Sequence, residues 1–170
     1  DWKTYAQNIR TSLIKAAHLN AGIRDKITEL VDDLDNEREK LKKLRDFLSR
    51  KIRKSGPGLP EIPLDCISSA HDVFEQGYGN TTDKAVLLYA MLEHVGFQPE
   101  FVLASDAPRL EKLQRPLRET PRPGFFDEVL VRVKSRGEPV YMNSLNQYHK
   151  LGATRHHDKP GLLLSEKKLI

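Results

Sequence analysis

The stretch Gly77-Tyr-Gly-Asn-Thr-Thr-Asp-Lys-Ala-Val-Leu-Leu-Tyr-Ala-Met-Leu-Glu-His-Val-Gly-Phe97 decides how the rest of this 170-residue sequence is read. Gly77 and Gly79 bracket Tyr78, and glycine closes a preceding helix at little cost because it enters the left-handed region freely. Asn80 then offers an N-cap oxygen, with Asp83 three positions later beside the free first-turn amides. Ala85 to Leu92 is apolar around most of a helical circumference, the pattern of a helix buried on every side. Gly96 stops it.

Toward the N-terminus the period is helical throughout. Trp2, Tyr5, Ile9, Leu13 and Ala16 share one face, as do Ile23, Ile27, Leu30, Val31 and Leu34. A third helix is expected after the acidic start at Asp35 and Glu37, with Leu41, Leu44, Phe47, Leu48 and Ile52 inward and basic residues at its C-terminal end. The Gly- and Pro-rich run over residues 55–63 ends it, and Ser68 is placed to cap a short helix carrying Val73 and Phe74. Toward the C-terminus the period changes. Residues 97–104, Val129 to Val133 and Pro139 to Asn143 read as strands, the last two joined as a hairpin across Ser135-Arg-Gly137. Helices first and antiparallel strands second predict an α+β fold, with N-terminal helices packed on a small antiparallel sheet.

The length favours one domain over residues 1–170, expected to be part of a longer protein: a helical lead-in at 1–56, motif helices at 63–96, and a sheet at 97–145. An irregular loop is expected at 105–126, where Pro108, Pro116, Pro121 and Pro123 stand among basic residues. Its bland reading is solvated surface; its functional reading is a binding loop.

Composition excludes several functions. With 28 basic and 24 acidic side chains interspersed, the net charge of +4 describes an ordinary solvated surface, so no nucleic-acid partner is expected. No window is long and apolar enough for membrane insertion. The single cysteine, Cys66, rules out an internal disulfide and a multi-cysteine zinc site, and is expected to be a small buried hydrophobe. Adjacent His156 and His157 with Asp158 make a poor metal set, because neighbouring histidines need a turn to converge. No metal and no cofactor is expected. His18 and His71 are expected in exposed loops, and His94 on the last turn of the buried helix.

The Gly77–Phe97 block resembles the core motif of bacterial transglutaminase-like domains of the papain-like superfamily. There a glycine-rich turn precedes a cysteine, then Asp-Lys-Ala, an apolar helix and a closing Gly-Phe. The resemblance continues through the strand Glu100 to Ala104, the Asn-His-Val strand at Phe126 to Val133 and the Leu-Asp-Pro-Thr strand end at Tyr141 to Leu145. It implies a nucleophile at the start of the buried helix, where dipole and free amides lower a thiol's pKa. A histidine base and an orienting aspartate would complete the triad. At those positions this sequence carries Thr81, Glu128 and Asn143.

An unassisted hydroxyl is far less acidic than a thiol, and a carboxylate with a reference pKa of about 4 is a weak base for it. The resemblance therefore implies a catalytically inactive domain, a structural or protein-binding module whose partner is a polypeptide or another domain of the same chain. Tyr78, Asn80, Thr82 and His149 are the expected binding residues of the remnant cleft. The rival is an amide hydrolase or acyltransferase with Thr81 or Thr82 as a non-thiol nucleophile and Glu128 as a base raised by burial. Thr81 and Thr82 could equally be plain first-turn residues, and Glu128 a strand-end carboxylate paired with a lysine or arginine. Similarity to exported bacterial proteins implies a periplasmic or extracellular setting.

Overall fold

A computed structural model gives the structure of the protein over residues 1–106, 122–142 and 150–170. Five helices come first: α1 (Trp2–Ala16), α2 (Ala21–Glu29), α3 (Glu37–Lys51), α4 (Ala70–Gln76) and α5 (Thr81–His94). Each N-terminus is closed by a side chain, Asp1, Asn20, Asn36, Ser69 and Asn80 in turn accepting from a first-turn amide. Two details differ from expectation here. Ser69 rather than Ser68 caps α4, its Oγ accepting from the Asp72 N–H at 3.1 Å, while the Ser68 N–H donates to Asp83 Oδ1 at 2.8 Å. The second helix stops at Glu29, so Val31 reaches the core from a turn and Leu34 from the irregular segment after it.

The strands follow in one sheet. It contains β3 (Glu100–Ala104), β4 (Glu128–Ser135), β5 (Glu138–Met142), β6 (Gly161–Leu163) and β7 (Lys168–Leu169), in the order β5-β4-β3-β6-β7 and antiparallel throughout. The hairpin between β4 and β5 turns at Arg136 (φ 53°) and Gly137 (φ 82°). Two consecutive left-handed residues match the right-handed twist of the flanking strands, and glycine takes the second at no steric cost. A separate parallel pair, β1 (Arg53–Lys54) with β2 (Tyr78–Gly79), fastens the end of α3 beside the start of α5.

Side chains alternate across the sheet as a period of two requires. Phe101, Leu103, Val129, Val131 and Val133 face the helices and join the main core, whereas Val102, Ala104, Leu130 and Leu163 form a second buried cluster on the opposite face. Between helices and sheet lies α5, buried without interruption from Thr82 to Leu92 and touching every other helix as well as β4. Cys66 departs from expectation: it sits exposed on a 3-10 turn at Leu64–Cys66. His71 is half-buried on α4 rather than in a loop, while His94 is exposed and pairs with the Thr28 hydroxyl at 2.9 Å. Most of the irregular stretch at 105–126, together with Asn143 and His149, lies outside the described residues. No helix among the described residues is long and apolar enough to cross a membrane.

Leu88 is wholly buried at the centre of α5. Leu88→Ala should therefore lose about 2–5 kcal/mol of stability in urea denaturation; a loss below about 1 kcal/mol would place α5 away from the core.

Candidate functional site

The start of α5 is built by its own sequence. Asn80 Oδ1 accepts from the Asp83 N–H at 2.8 Å, and Asp83 Oδ2 accepts from the Asn80 N–H at 3.1 Å, a reciprocal capping box. Asp83 is buried and takes the Ser68 N–H on its other oxygen, which fixes the chain entering α4. Gly79 makes this approach possible, since a Cβ there would stand 2.9 Å from Asp83 Cβ. Next along, the buried Lys84 donates from Nζ to the Ile52 carbonyl at 2.7 Å. Burial, then the charge of Lys54, pulls its pKa below the ordinary lysine value.

The space over this helix start is filled by the chain itself. A Cβ on Gly58 would meet Thr81 Oγ1 at 2.5 Å, Thr82 Oγ1 at 2.9 Å and the Thr82 amide nitrogen at 3.3 Å. The neighbouring Leu59 N–H donates to Thr82 Oγ1 at 2.9 Å. Gly58 and Leu59 thus form a strap over the first turn, where an incoming carbonyl would have to sit to reach the free amides. Among the described residues, no hydrogen bond links Thr81 or Thr82 to Glu128 or to a histidine.

Glu128 opens β4 and is buried. Its Oε2 accepts from His156 Nε2 at 2.7 Å and from Arg155 Nε at 3.1 Å. Arg155 also reaches Asp106 at 2.8 Å and Asp127 at 3.3 Å, and Lys159 reaches Asp106 at 2.7 Å. Burial pushes the Glu128 carboxyl up, but the hydrogen bonds and charges of His156 and Arg155 outweigh it, so the net shift is downward and Glu128 is ionised. Burial likewise pulls His156 down, and is outweighed by Glu128, by the Ser105 carbonyl and by Asp127. An ionised carboxylate and a carbonyl can only accept. With Nε2 on Glu128 and Nδ1 on the Ser105 carbonyl at 3.2 Å, both imidazole nitrogens face acceptors, an arrangement that favours the protonated ring. In that form the ring holds no lone pair with which to act as a base.

The sequence offers Glu128 as a base for Thr81 or Thr82 raised by burial, or as the partner of a lysine or arginine, and sets His156, His157 and Asp158 together; the pairing with His156 is not legible there, and the net shift of Glu128 is downward, not upward. The three diverge: the His156 side chain is 2% exposed, His157 83% and Asp158 80%. The sole hint is the density of charge around Arg155-His-His-Asp158, which does not say which residue turns inward. Asp106, Asp127 and His156 present atoms within 4.8 Å of one another, a spacing that could hold a cation. Arg155 and Lys159 already supply the positive charge there, and the Asp106–Asp127 pair is the negative side of that network.

Between the strap and the sheet lies a cavity of about 300 Å³. Its walls are Tyr5, Asn8 and Ile9 of α1, Leu59 of the strap with Pro60, Ile62, Pro63 and Leu64 after it, Leu103 of β3, Phe126 and Glu128. Of the expected binding residues, Asn80 and Thr82 are buried, Thr82 under the strap, and Tyr78 is exposed on β2.

No protein-family model and no curated protein matches the chain significantly. Two crystal structures resemble it in fold. A candidate protease from Parabacteroides distasonis superposes with a TM-score of 0.70 at 18% identity, over 97% of this chain and 30% of that one. A candidate cysteine protease from Cytophaga hutchinsonii gives 0.51 at 12% identity, over 79% of this chain and 42% of its own. This chain spans less than half the length of either protein. At such identities the likeness is one of fold alone, an α+β architecture of helices packed on an antiparallel sheet.

Gly58→Ala should lower stability by about 1–3 kcal/mol, since the new methyl must displace the strap or the helix start; unchanged denaturation would mean that the strap is free to move. The Glu128–His156 pair also gives stability a pH window. His156 rises above 6.5 on folding, so its contribution is complete below 6.5 and lost as pH climbs through the folded value. Glu128 falls below 4.5, so its contribution is present above 4.5 and lost as pH drops through the folded value. Urea midpoints should be highest between these limits, and His156→Gln should flatten the alkaline limb; an alkaline limb that persists in that variant would assign it to another group.

Proposed function

We propose that this chain is a transglutaminase-like domain of the papain-like superfamily that has lost acyl-transfer chemistry and serves as a protein- or peptide-binding module. The observation that carries the reading is Gly58 packed directly on Thr81 and Thr82, so that the chain's own backbone fills the place a reacting carbonyl would need. Three further features support it. The residue at the expected nucleophile position is a threonine, the expected base position is the carboxylate of Glu128, and the histidine touching that carboxylate has both ring nitrogens engaged, on Glu128 and on the Ser105 carbonyl. A periplasmic or extracellular setting belongs to the same proposal and rests on family resemblance alone.

The second reading, an amide hydrolase with a threonine nucleophile, draws on the 2.7 Å His156–Glu128 contact, which pairs an imidazole with an acid as hydrolytic sites do. Against it, both imidazole nitrogens are already engaged, on Glu128 and on the Ser105 carbonyl, neither threonine is hydrogen-bonded to His156 or Glu128 among the described residues, and the Thr82 hydroxyl accepts from Leu59. The test is to incubate the purified chain with a glutamine-bearing casein plus a fluorescent primary amine, and separately with a fluorogenic peptide amide. Wild type, Thr81→Ala and Glu128→Gln should all match the protein-free background. Turnover by wild type that disappears in Thr81→Ala would establish the hydrolase instead.

A further inference from the structure

Residues 150–160 cross the outer face of the sheet, the one away from the helices, and enclose a second cavity of about 260 Å³ against Val102, Ala104, Leu130 and Tyr141. Leu151, packed on the main core, anchors one end; the Pro160 carbonyl, which accepts from the Ser105 N–H at 3.1 Å, anchors the other. Between these ends the backbone bonds close turns within the segment, from Ala153 to Lys150, His157 to Thr154 and Lys159 to His156. Among the described residues, every hydrogen bond that ties residues 150–159 to the rest of the chain comes from a side chain of Arg155, His156 or Lys159. Arg155 spreads over Glu128, Asp106 and Asp127, and Lys159 adds a contact to Asp106.

His156 is the member of this set that changes charge near neutral pH. Its side chain is buried, and its nitrogens meet the Glu128 carboxylate at 2.7 Å and the Ser105 carbonyl at 3.2 Å. A neutral imidazole has one N–H, so loss of a proton turns a lone pair toward one of these acceptors where water does not compensate. The charge count points the same way. Asp106, Asp127 and Glu128 stand against Arg155, Lys159 and the His156 cation, and removing the last leaves one carboxylate in excess. Asp106 Oδ1 and Asp127 Oδ1 lie 3.6 Å and 3.9 Å from the ring nitrogens, and the buried Asp127 Oδ1 has no hydrogen bond among the described residues. His157 and Asp158 pair with each other in solvent and leave the count unchanged.

We propose that residues 150–160 are a pH-sensitive latch, closed on the outer face of the sheet while the His156 ring carries both protons and opening, with the rest of the fold intact, when it loses one. Burial alone would hold the His156 pKa down, but Glu128, the Ser105 carbonyl and Asp127 raise it above 6.5. Closure is therefore complete below 6.5 and is lost as pH climbs through the folded value. Opening turns the enclosed cavity into a groove floored by Val102, Ala104 and Leu130, which are buried while the latch is shut. The strap and α5 lie on the other side of the sheet, so the latch works independently of the binding-module reading.

The full chain, isotope-labelled, is followed by NMR from about pH 6 to about pH 9, with amide exchange measured by water-saturation transfer and divided by each amide's intrinsic rate. Protection at Ser105, Ala153, His157 and Lys159 should fall by up to about tenfold per pH unit above the ordinary histidine value. Its midpoint should match the titration of the His156 ring, and the Leu88 amide in α5 should keep its protection. His157→Gln, a change at an exposed neighbour, should behave as wild type, whereas His156→Gln, which does not titrate, should give a flat profile. The latch is overturned by protection that ignores pH, by an equal loss at Leu88, by a midpoint away from the His156 titration, or by a pH-dependent loss that persists in His156→Gln. Should His156→Gln fail to fold, the three wild-type comparisons decide alone.

Discussion

A helix that is apolar on every side can exist in water only if something covers every side, and α5 sets that requirement for the whole molecule. From Thr82 to Leu92 it has no solvent-facing stripe. Its neighbours divide the task, with α1 to α4 covering one half and the sheet, through β4, the other. Even its polar first turn is enclosed, and each buried polar group there has a stated partner. Asp83 takes two backbone amides and Lys84 one carbonyl. Those bonds reach Ser68, Asn80 and Ile52, so the capping of one helix also fixes the entry to α4 and the exit from α3.

The candidate site follows from this arrangement. Two segments that the sequence separates widely, the strap at Gly58–Leu59 and the stretch at Arg155–His156, converge on either flank of the Glu128 region. One closes the helix start; the other neutralises the strand-end carboxylate. A buried carboxylate deprived of either partner would carry a heavy desolvation penalty, so the ion network is required by burial whatever the cleft binds. The open volume that remains is apolar and lies between the strap and the sheet, not at the helix terminus.

Much of the frame is legible in the sequence because it is written in local period. The faces of α1 and α3, the all-round apolarity of α5, the Asn80–Asp83 cap and the Arg136-Gly137 turn all depend on residues a few positions apart. The missed features share the opposite property. Strands β6 and β7 are three and two residues long, too short to show alternation, and exist only because β3 offers an unpaired edge. The Cys66 expectation failed because a statistical tendency toward burial says nothing of a residue on an exposed 3-10 turn. For His156 the burial is decided by a partner 28 residues away, and no spacing rule connects them. Gly58 lies in a Gly-Pro-Gly run that reads as a breaker, and only the folded contact shows that its missing side chain makes room for Thr81.

The position of β6 has a consequence for how the chain comes to be folded. Strand β3 lies in the middle of the sheet, between β4 and β6, and β6 belongs to a part of the sequence that the ribosome delivers long after β3, β4 and β5. Until residues 161–163 leave the exit tunnel, β3 presents a bare, apolar hydrogen-bonding edge beside Val102 and Leu103, which are buried once the sheet is complete. At ordinary elongation speeds that interval lasts seconds, long compared with hairpin formation, so the nascent domain passes through a state that invites pairing with a foreign strand. A chaperone or a downstream domain that shields this edge during synthesis would act on the fold before any ligand does.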